Sequence, residues 1–94
     1  MFIVYVIKHV PSNEIYIGYT SDLKRRVTEH NNKGSKFTTR HDGKWQLVYA
    51  EAYTSKQDAY EREAKLKQHG GSKRQLLKRI QRSLFEPKIG AGRS

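Results

Sequence analysis

Two polar side chains border the apolar stripe of a predicted helix in the first third of the chain. The helical spacing i, i+3, i+4, i+7 places Leu23, Arg26, Val27 and His30 on one side. Taken singly, Arg26 is expected to snorkel outward and His30 to be a satisfied edge histidine. Taken together, these two interpretations fit less well, because a partly buried guanidinium group requires an anionic partner.

A carboxylate occupies the corresponding position in a second predicted helix. Glu63 lies four residues after Ala59 and three before Leu66, so it shares their apolar face. It could form an ion pair with Arg26 or a lysine, or it could bind a hard divalent cation from within a cleft. The helical period favours neither interpretation.

Tyrosines accompany these groups in the predicted strands. A tyrosine with a pKa near 10 acts as a general base only if a metal ion or an arginine lowers that pKa. The residue numbers of two paired positions in a hairpin have a constant sum. If that sum is odd, Tyr5 shares a face of the sheet with Tyr16 and Gly18. If the sum is even, Tyr5 shares a face with Tyr19, and the sequence does not decide between the two registers.

The elements that must position these residues follow the order β-β-α-β-α-α. Strands are predicted over 2–9, 15–20 and 45–53, and helices from Ser21 to about residue 32, from Ser55 to 68 and from Ser72 to 84. The three serines are the predicted N-caps. This order predicts an α+β fold with a small three-stranded mixed sheet flanked by helices. We expect one domain over residues 1–85 and a flexible basic tail over 86–94.

Composition limits the possible function. The chain has 94 residues, a net charge of +10 and no cysteine. Its length excludes a Rossmann domain, a TIM barrel and a kinase, and the lack of cysteine excludes disulfides and a thiol nucleophile. No segment reaches the length of a membrane span, and Met1 to Ile7 lacks the features of a signal peptide. We therefore predict a cytoplasmic protein whose favoured partner is nucleic acid rather than a membrane surface or an acidic protein.

The ordered set of motifs resembles the GIY-YIG nuclease family over residues 2 to 85. Val4-Tyr5-Val6 is similar to the first motif without its glycine, and Tyr16-Ile17-Gly18 is the second motif in full. The stretch SDLKRRVTEHN resembles the family's helix, whose arginine follows the second-motif tyrosine by ten residues, and EREAKLK resembles the segment with the metal-binding glutamate. Tyr19 stands where some repair members have a lysine.

The resemblance implies metal-dependent hydrolysis of a phosphodiester. It assigns Arg26 to the scissile phosphate, Glu63 to one Mg²⁺ or Mn²⁺ ion, and Tyr5 or Tyr16 to activation of the attacking water. His30 would transfer a proton or orient a tyrosine. The implied activity is that of a DNA endonuclease, acting on single-stranded, branched or duplex DNA, without a small-molecule cofactor.

Basic residues suggest two surfaces for nucleic acid. Residues 69–94 hold seven lysines or arginines and one glutamate. The predicted third helix places five basic residues away from its leucines, namely Lys73, Arg74, Lys78, Arg79 and Arg82. The loop before the third strand offers Lys36 and Arg40, with Phe37 or Trp45 as a stacking partner for an unpaired base.

Two other functions fit parts of the sequence. A basic nucleic-acid-binding module without catalysis would account for the charge and for the incomplete first motif. A nuclease of another fold could use Asp58, Glu63 and Lys65 as a D…ExK site, which would require a strand where the spacing predicts a helix.

Overall fold

A three-stranded sheet forms the centre of the protein. The computed structural model describes residues 1–32, 44–68 and 70–85, so Lys36, Phe37, Arg40 and the predicted tail lie outside the described residues. Strand β1 (Phe2–His9) lies between β2 (Ile15–Thr20) and β3 (Trp45–Tyr53). The predicted α+β class is confirmed.

Both strand pairings are antiparallel, so the prediction of a mixed sheet is wrong. The reason lies in the entry point of β3, because Trp45 pairs with His9 at the end of β1. A strand that starts where its neighbour ends runs back along it.

A tight turn joins β1 to β2. Asn13 adopts a left-handed backbone with φ 64°, a conformation that asparagine tolerates better than most residues. The amide of Asn13 donates to the carbonyl of His9 at 2.7 Å, and the amide of His9 donates to the carbonyl of Glu14 at 2.8 Å. The turn predicted from Pro11, Ser12 and Asn13 is therefore confirmed.

Helices cover the sheet on both faces. Helix α1 (Leu23–Asn31) lies on the face of Tyr5 and Ile7, whereas α2 (Lys56–Lys67), α3 (Gly71–Arg79) and α4 (Gln81–Phe85) lie on the other face. The core on the second face consists of Val4, Val6, Ile17, Ala59, Leu66, Leu76, Ile80 and Leu84. Strand β1 is therefore buried on both sides, as its continuous apolar run predicts.

The helix starts differ in part from the predictions. Ser55 is the N-cap of α2, as expected, and accepts a hydrogen bond from the Asp58 amide at 3.2 Å. The N-cap of α1 is Asp22 and not Ser21, because the Asp22 backbone is extended and its carboxylate accepts from the Arg25 amide at 3.1 Å.

The third predicted helix begins earlier and is divided. Helix α3 starts at Gly71 without a side-chain cap, so Ser72 lies inside its first turn and is not an N-cap. Helix α3 ends at Arg79 with Ile80 as its C-cap, and α4 begins at Gln81. Buried leucine or isoleucine at every fourth position keeps both pieces against the same core. None of the helices in the described ranges is long and apolar enough to span a membrane.

Candidate active site

The hairpin register places Tyr5 and Tyr16 on the same face of the sheet. Tyr5 pairs with Gly18 and Ile7 pairs with Tyr16, so the paired positions sum to an odd number. The rings of Tyr5 and Tyr16 lie 6.4 Å apart between centroids. Tyr19 pairs with Val4 on the opposite face and packs against the ring of Tyr60. The tyrosine pair of the site is therefore Tyr5 and Tyr16.

Gly18 permits the Tyr5 ring to lie across the neighbouring strand. A Cβ atom added to Gly18 would overlap the Tyr5 hydroxyl and would approach its Cε1 atom to 2.9 Å. Any other residue at this position would force the ring to move. The glycine of the second motif thus has a steric role in holding the tyrosine of the first.

Helix α1 brings His30 to the two tyrosines. The Tyr5 hydroxyl and the Nε2 atom of His30 are hydrogen-bonded at 2.8 Å, and the His30 side chain is 2% exposed. The ring of Tyr16 meets that of His30 edge-on, with 4.9 Å between centroids. The imidazole is therefore enclosed between the tyrosines rather than solvated at the helix edge.

The environment keeps both partners of the Tyr5–His30 pair neutral near pH 7. Burial raises the pKa of Tyr5 to about 12, although the nearby Arg26 opposes this rise. Burial and the positive charge of Arg26 lower the pKa of His30 to about 4. A neutral imidazole has one acceptor nitrogen, and in the tautomer protonated at Nδ1 the Nε2 atom accepts the hydrogen bond that the Tyr5 hydroxyl donates.

Arg26 lies next to this pair with its guanidinium group held by an acid. Its Nη1 donates to Oε1 of Glu29 at 3.0 Å, and its side chain is 28% exposed. Burial alone would lower the pKa of Arg26, but Glu29 and Tyr5 outweigh burial and raise it. A partly buried, permanently charged guanidinium beside the tyrosines is suited to an anionic ligand.

Glu63 approaches the site from α2. Its side chain is 19% exposed, and its negative charge contributes to the raised pKa of Tyr5. Its ion-pair partner is Lys67, with 3.0 Å between Oε2 and Nζ. The structure thus brings Tyr5, Tyr16, Arg26, His30 and Glu63 together around one part of the sheet.

Comparison with known proteins identifies the family. The model of the GIY-YIG catalytic domain matches residues 1–81. The chain belongs to the GIY-YIG family. This domain indicates a nuclease, and a nuclease acts on nucleic acid.

Relatives of this GIY-YIG chain span most of its length. A UPF0213 protein of Staphylococcus epidermidis is 40% identical over 79 residues, which cover 83% of this chain and 92% of the relative. A UPF0213 protein of Haloquadratum walsbyi is 37% identical over 75 residues, 79% and 82% of the two chains. The solution NMR structure of a UPF0213 protein from Bacillus halodurans is similar at a TM-score of 0.52 and 33% identity, with 85% of each chain covered.

Glu63 is the side chain of this GIY-YIG site that could hold a divalent metal ion. Within residues 1–32, 44–68 and 70–85, no group of three or more histidines, cysteines, aspartates or glutamates could enclose a metal ion. Glu63 offers a single carboxylate. Mg²⁺ commonly binds one or two carboxylates and completes its shell with water and substrate phosphates, so one carboxylate is sufficient for such a site.

The basic residues of α3 and α4 lie on the other side of the sheet from the Tyr5 cluster. Arg74, Lys78, Arg79 and Arg82 are exposed, and Lys73 is half-buried. Trp45 is only 1% exposed and packs with Tyr5 and Ile7, so it belongs to the core and is not a stacking platform. The D…ExK alternative fails because residues 56–67 form a helix on which Asp58 and Lys65 are exposed.

A side-chain clamp near the site has no counterpart in the sequence analysis. The Asn31 side chain accepts from the Trp45 amide at 2.8 Å and donates to the Trp45 carbonyl at 3.0 Å. This pair of bonds joins the last residue of α1 to the first residue of β3. It holds the helix end next to His30, and no periodic signal in the sequence indicates it.

A second unpredicted cluster centres on Glu51 of β3. Its carboxylate accepts hydrogen bonds from the hydroxyls of Tyr49 at 2.7 Å and Tyr53 at 2.5 Å. Arg62 of α2 donates to both of its oxygens, at 2.8 and 3.3 Å. An acid flanked by tyrosines two residues away on either side is a period-2 signal that could have been noticed.

Proposed function

We propose that this protein is a divalent-metal-dependent DNA endonuclease. The observation that carries the proposal is the hydrogen bond from the Tyr5 hydroxyl to a neutral His30, beside Arg26 and within the electrostatic reach of Glu63. A proton acceptor, an anion-binding guanidinium and a metal-binding carboxylate are the groups that phosphodiester hydrolysis requires.

Arg26 and Glu63 would stabilise the negative charge that develops during the reaction. Attack on a phosphodiester accumulates negative charge on the phosphorane oxygens, and the Arg26 guanidinium would bind these oxygens directly. Glu63 would hold Mg²⁺ or Mn²⁺, which supplies Lewis-acid stabilisation of the same charge when bound.

Tyr5 and His30 would accept the proton of the attacking water. As the oxygen of water bonds to phosphorus, its proton passes to the Tyr5 hydroxyl, whose own proton passes to Nε2 of His30. The bond from phosphorus to the leaving sugar oxygen breaks, and this oxygen takes a proton from solvent. Tyr16 would pack against the imidazole and hold it in place, as its edge-on contact with His30 supports.

The electrostatics of the free protein make His30 a weak base. Burial and the positive charge of Arg26 lower the pKa of His30 to about 4. A phosphate bound to Arg26 would favour proton transfer to His30, because it offsets the positive charge that depresses this pKa.

The test is a cleavage assay on single-stranded, duplex and branched DNA with Mg²⁺ or Mn²⁺. We expect metal-dependent cleavage of at least one substrate, with losses of about 100-fold or more for Arg26→Ala and Glu63→Gln. The matched controls Arg25→Ala and Glu61→Gln change exposed residues of the same helices and should leave the rate within a few-fold of wild type.

Other outcomes are informative. Salt-sensitive binding of DNA without cleavage under any metal condition would favour the alternative of a non-catalytic binding module. Cleavage that is unchanged by Arg26→Ala would refute the site. A greater loss for Tyr16→Phe than for Tyr5→Phe would transfer the activation of water to Tyr16.

A further inference from the structure

Lys67 places a second cation at the candidate active site. Its Nζ atom lies 3.0 Å from Oε2 of Glu63 and 5.5 Å from the centroid of the Tyr16 ring. The side chain is 48% exposed, so the ammonium group reaches the site from solvent. Glu63 and Tyr16 belong to different elements, and Lys67 contacts both.

A glutamate followed four residues later by a lysine is a common pair on helix surfaces. Such a pair contributes about 0.3–0.5 kcal/mol to stability and carries no functional meaning by itself. Two features separate this pair from that case. The lysine also lies over a tyrosine ring on the opposing strand, and the acid is the one whose charge acts on Tyr5.

We propose that Lys67 is a further phosphate-binding residue of this site. In the free protein Glu63 holds its ammonium group, and when Glu63 engages a divalent cation the ammonium is released to a substrate phosphate oxygen. This inference rests on the proposed nuclease function and adds a residue to it.

The chemistry of the ammonium group and of a divalent cation supports their exchange at Glu63. A divalent cation is hard and prefers a carboxylate, so it competes with the ammonium for Glu63. The Lys67 side chain is 48% exposed, so water can solvate its ammonium group when the pair breaks, and the flexible four-carbon stem lets the ammonium turn to a new anion. Released beside Tyr16, the ammonium remains close to the Arg26 side of the sheet, where the phosphate is proposed to bind.

The exchange predicts that Lys67 weakens the binding of metal to the free protein. Isothermal titration of Mn²⁺ in the absence of DNA should show about two- to fivefold tighter binding for Lys67→Gln than for wild type. Lys65→Gln, an exposed lysine of the same helix, is the matched control and should bind Mn²⁺ as wild type does. Equal Mn²⁺ affinity of wild type and Lys67→Gln would overturn the proposal.

The exchange also predicts coupling between Lys67 and Glu63 in DNA binding. The dissociation constant of a fluorescent oligonucleotide is measured in EDTA for wild type, Lys67→Gln, Glu63→Gln and the double variant. While Glu63 is present, Lys67→Gln should raise the dissociation constant less than about twofold. Once Glu63→Gln has released the lysine, Lys67→Gln should raise it about fivefold or more. Lys67→Arg should retain binding in both backgrounds.

The outcomes separate this inference from the function on which it rests. If wild type does not bind the oligonucleotide, the nuclease proposal fails and the role of Lys67 fails with it. If wild type binds it but Lys67→Gln reduces the affinity equally in the two backgrounds, the role of Lys67 alone is refuted. Circular dichroism of each variant confirms that the helix is retained.

Discussion

At the scale of single residues, burial determines the chemistry of the Tyr5–His30 pair. An exposed histidine would be partly charged near pH 6.5, whereas enclosure between two tyrosines and next to Arg26 keeps this imidazole neutral. In the tautomer protonated at Nδ1, the neutral imidazole accepts a hydrogen bond at Nε2 from the Tyr5 hydroxyl. The site therefore has a proton acceptor before any ligand binds.

We predict that His30 titrates with a pKa of about 4. Proton NMR of the ring resonances between pH 3 and 8 measures this value directly. Arg26→Gln should raise the pKa, because the guanidinium charge contributes to its depression. A His30 titration near the ordinary value of ~6.5 in the wild type would contradict the enclosure of the ring.

The same shift makes stability depend on pH. The folded pKa of His30 is depressed, so the unfolded chain binds the proton more readily than the folded one between about pH 6.5 and pH 4. Stability from this group is complete above pH 6.5 and declines by up to ~3 kcal/mol as the pH falls to 4. Urea unfolding of wild type and His30→Gln isolates this contribution.

Gly18 gives a second prediction at this scale. Gly18→Ala should displace the Tyr5 ring and destabilise the protein by about 1–3 kcal/mol, because the added methyl group overlaps that ring. Urea unfolding measures the loss, and the ring resonances of Tyr5 and His30 should shift together. Gly71→Ala, where the nearest atom to a new Cβ is at 3.8 Å, is the control and should be close to neutral. A Gly18→Ala protein as stable as wild type would show that the ring is free to move.

At the scale of elements, side-chain clamps join pieces of the fold that the backbone leaves apart. Asn31 joins the end of α1 to the start of β3, and the Glu51 cluster joins β3 to α2. Burial alone would raise the pKa of Glu51, but Arg62 and the two tyrosine hydroxyls lower it overall. These polar bonds supplement a core that is thin on each face of the sheet.

We predict that Glu51 and Arg62 are energetically coupled by about 1–3 kcal/mol. The double-mutant cycle of Glu51→Gln and Arg62→Ala, followed by urea unfolding, measures the coupling. The pKa of Glu51 is lower in the folded protein than in the unfolded chain. The stabilisation from the ionised Glu51 is therefore fully present above the pKa of the unfolded chain and is lost as the pH falls through the pKa of the folded protein. Arg25 is 65% exposed and forms ion pairs with Asp22 and Glu29, and Arg25→Ala should lower the stability by less than ~1 kcal/mol. A coupling energy near zero would show that the Glu51–Arg62 contact does not contribute to stability.

At the scale of the whole molecule, the basic surface of α3 and α4 lies across the sheet from the Tyr5–His30 pair. The basic side chains project from α3 and α4, whereas Tyr5, His30 and Arg26 lie on the face covered by α1. A cavity of about 320 Å³ at the α2–α3 junction is lined by Lys73 and Arg74 among others, at the C-terminal end of the helix that carries Lys67.

We predict that the basic face governs affinity and leaves the chemical step unchanged. Replacing Lys78, Arg79 and Arg82 with glutamine should weaken DNA binding across sequences and reduce the slope of log K against log salt by about 0.9 for each lost phosphate contact. Single-turnover cleavage at saturating DNA should stay within a few-fold of wild type, since these residues lie across the sheet from Tyr5. A large loss in the single-turnover rate would show that α3 or α4 contributes to the active site.

By itself the sequence determined the elements, the family and the candidate residues, since each is encoded in local periodicity or in short motifs at defined spacing. The apolar run of β1 predicted a strand buried on both sides, and the motif set predicted which five side chains belong together. Helix ends were less predictable, because a cap depends on the backbone angles of one residue, as Asp22 and Ser72 illustrate.

Only the tertiary structure decided the register, the antiparallel course of β3 and the partners of each charged group. A one-residue slip of the hairpin would exchange Tyr16 for Tyr19 at the site, and nothing in the local sequence fixes that slip. The low pKa of His30, the contact of Lys67 with the Tyr16 ring and the Asn31 clamp depend on burial or on contacts between different elements. Such contacts depend on the packing of the whole chain, because burial and electrostatic neighbours exist only after folding.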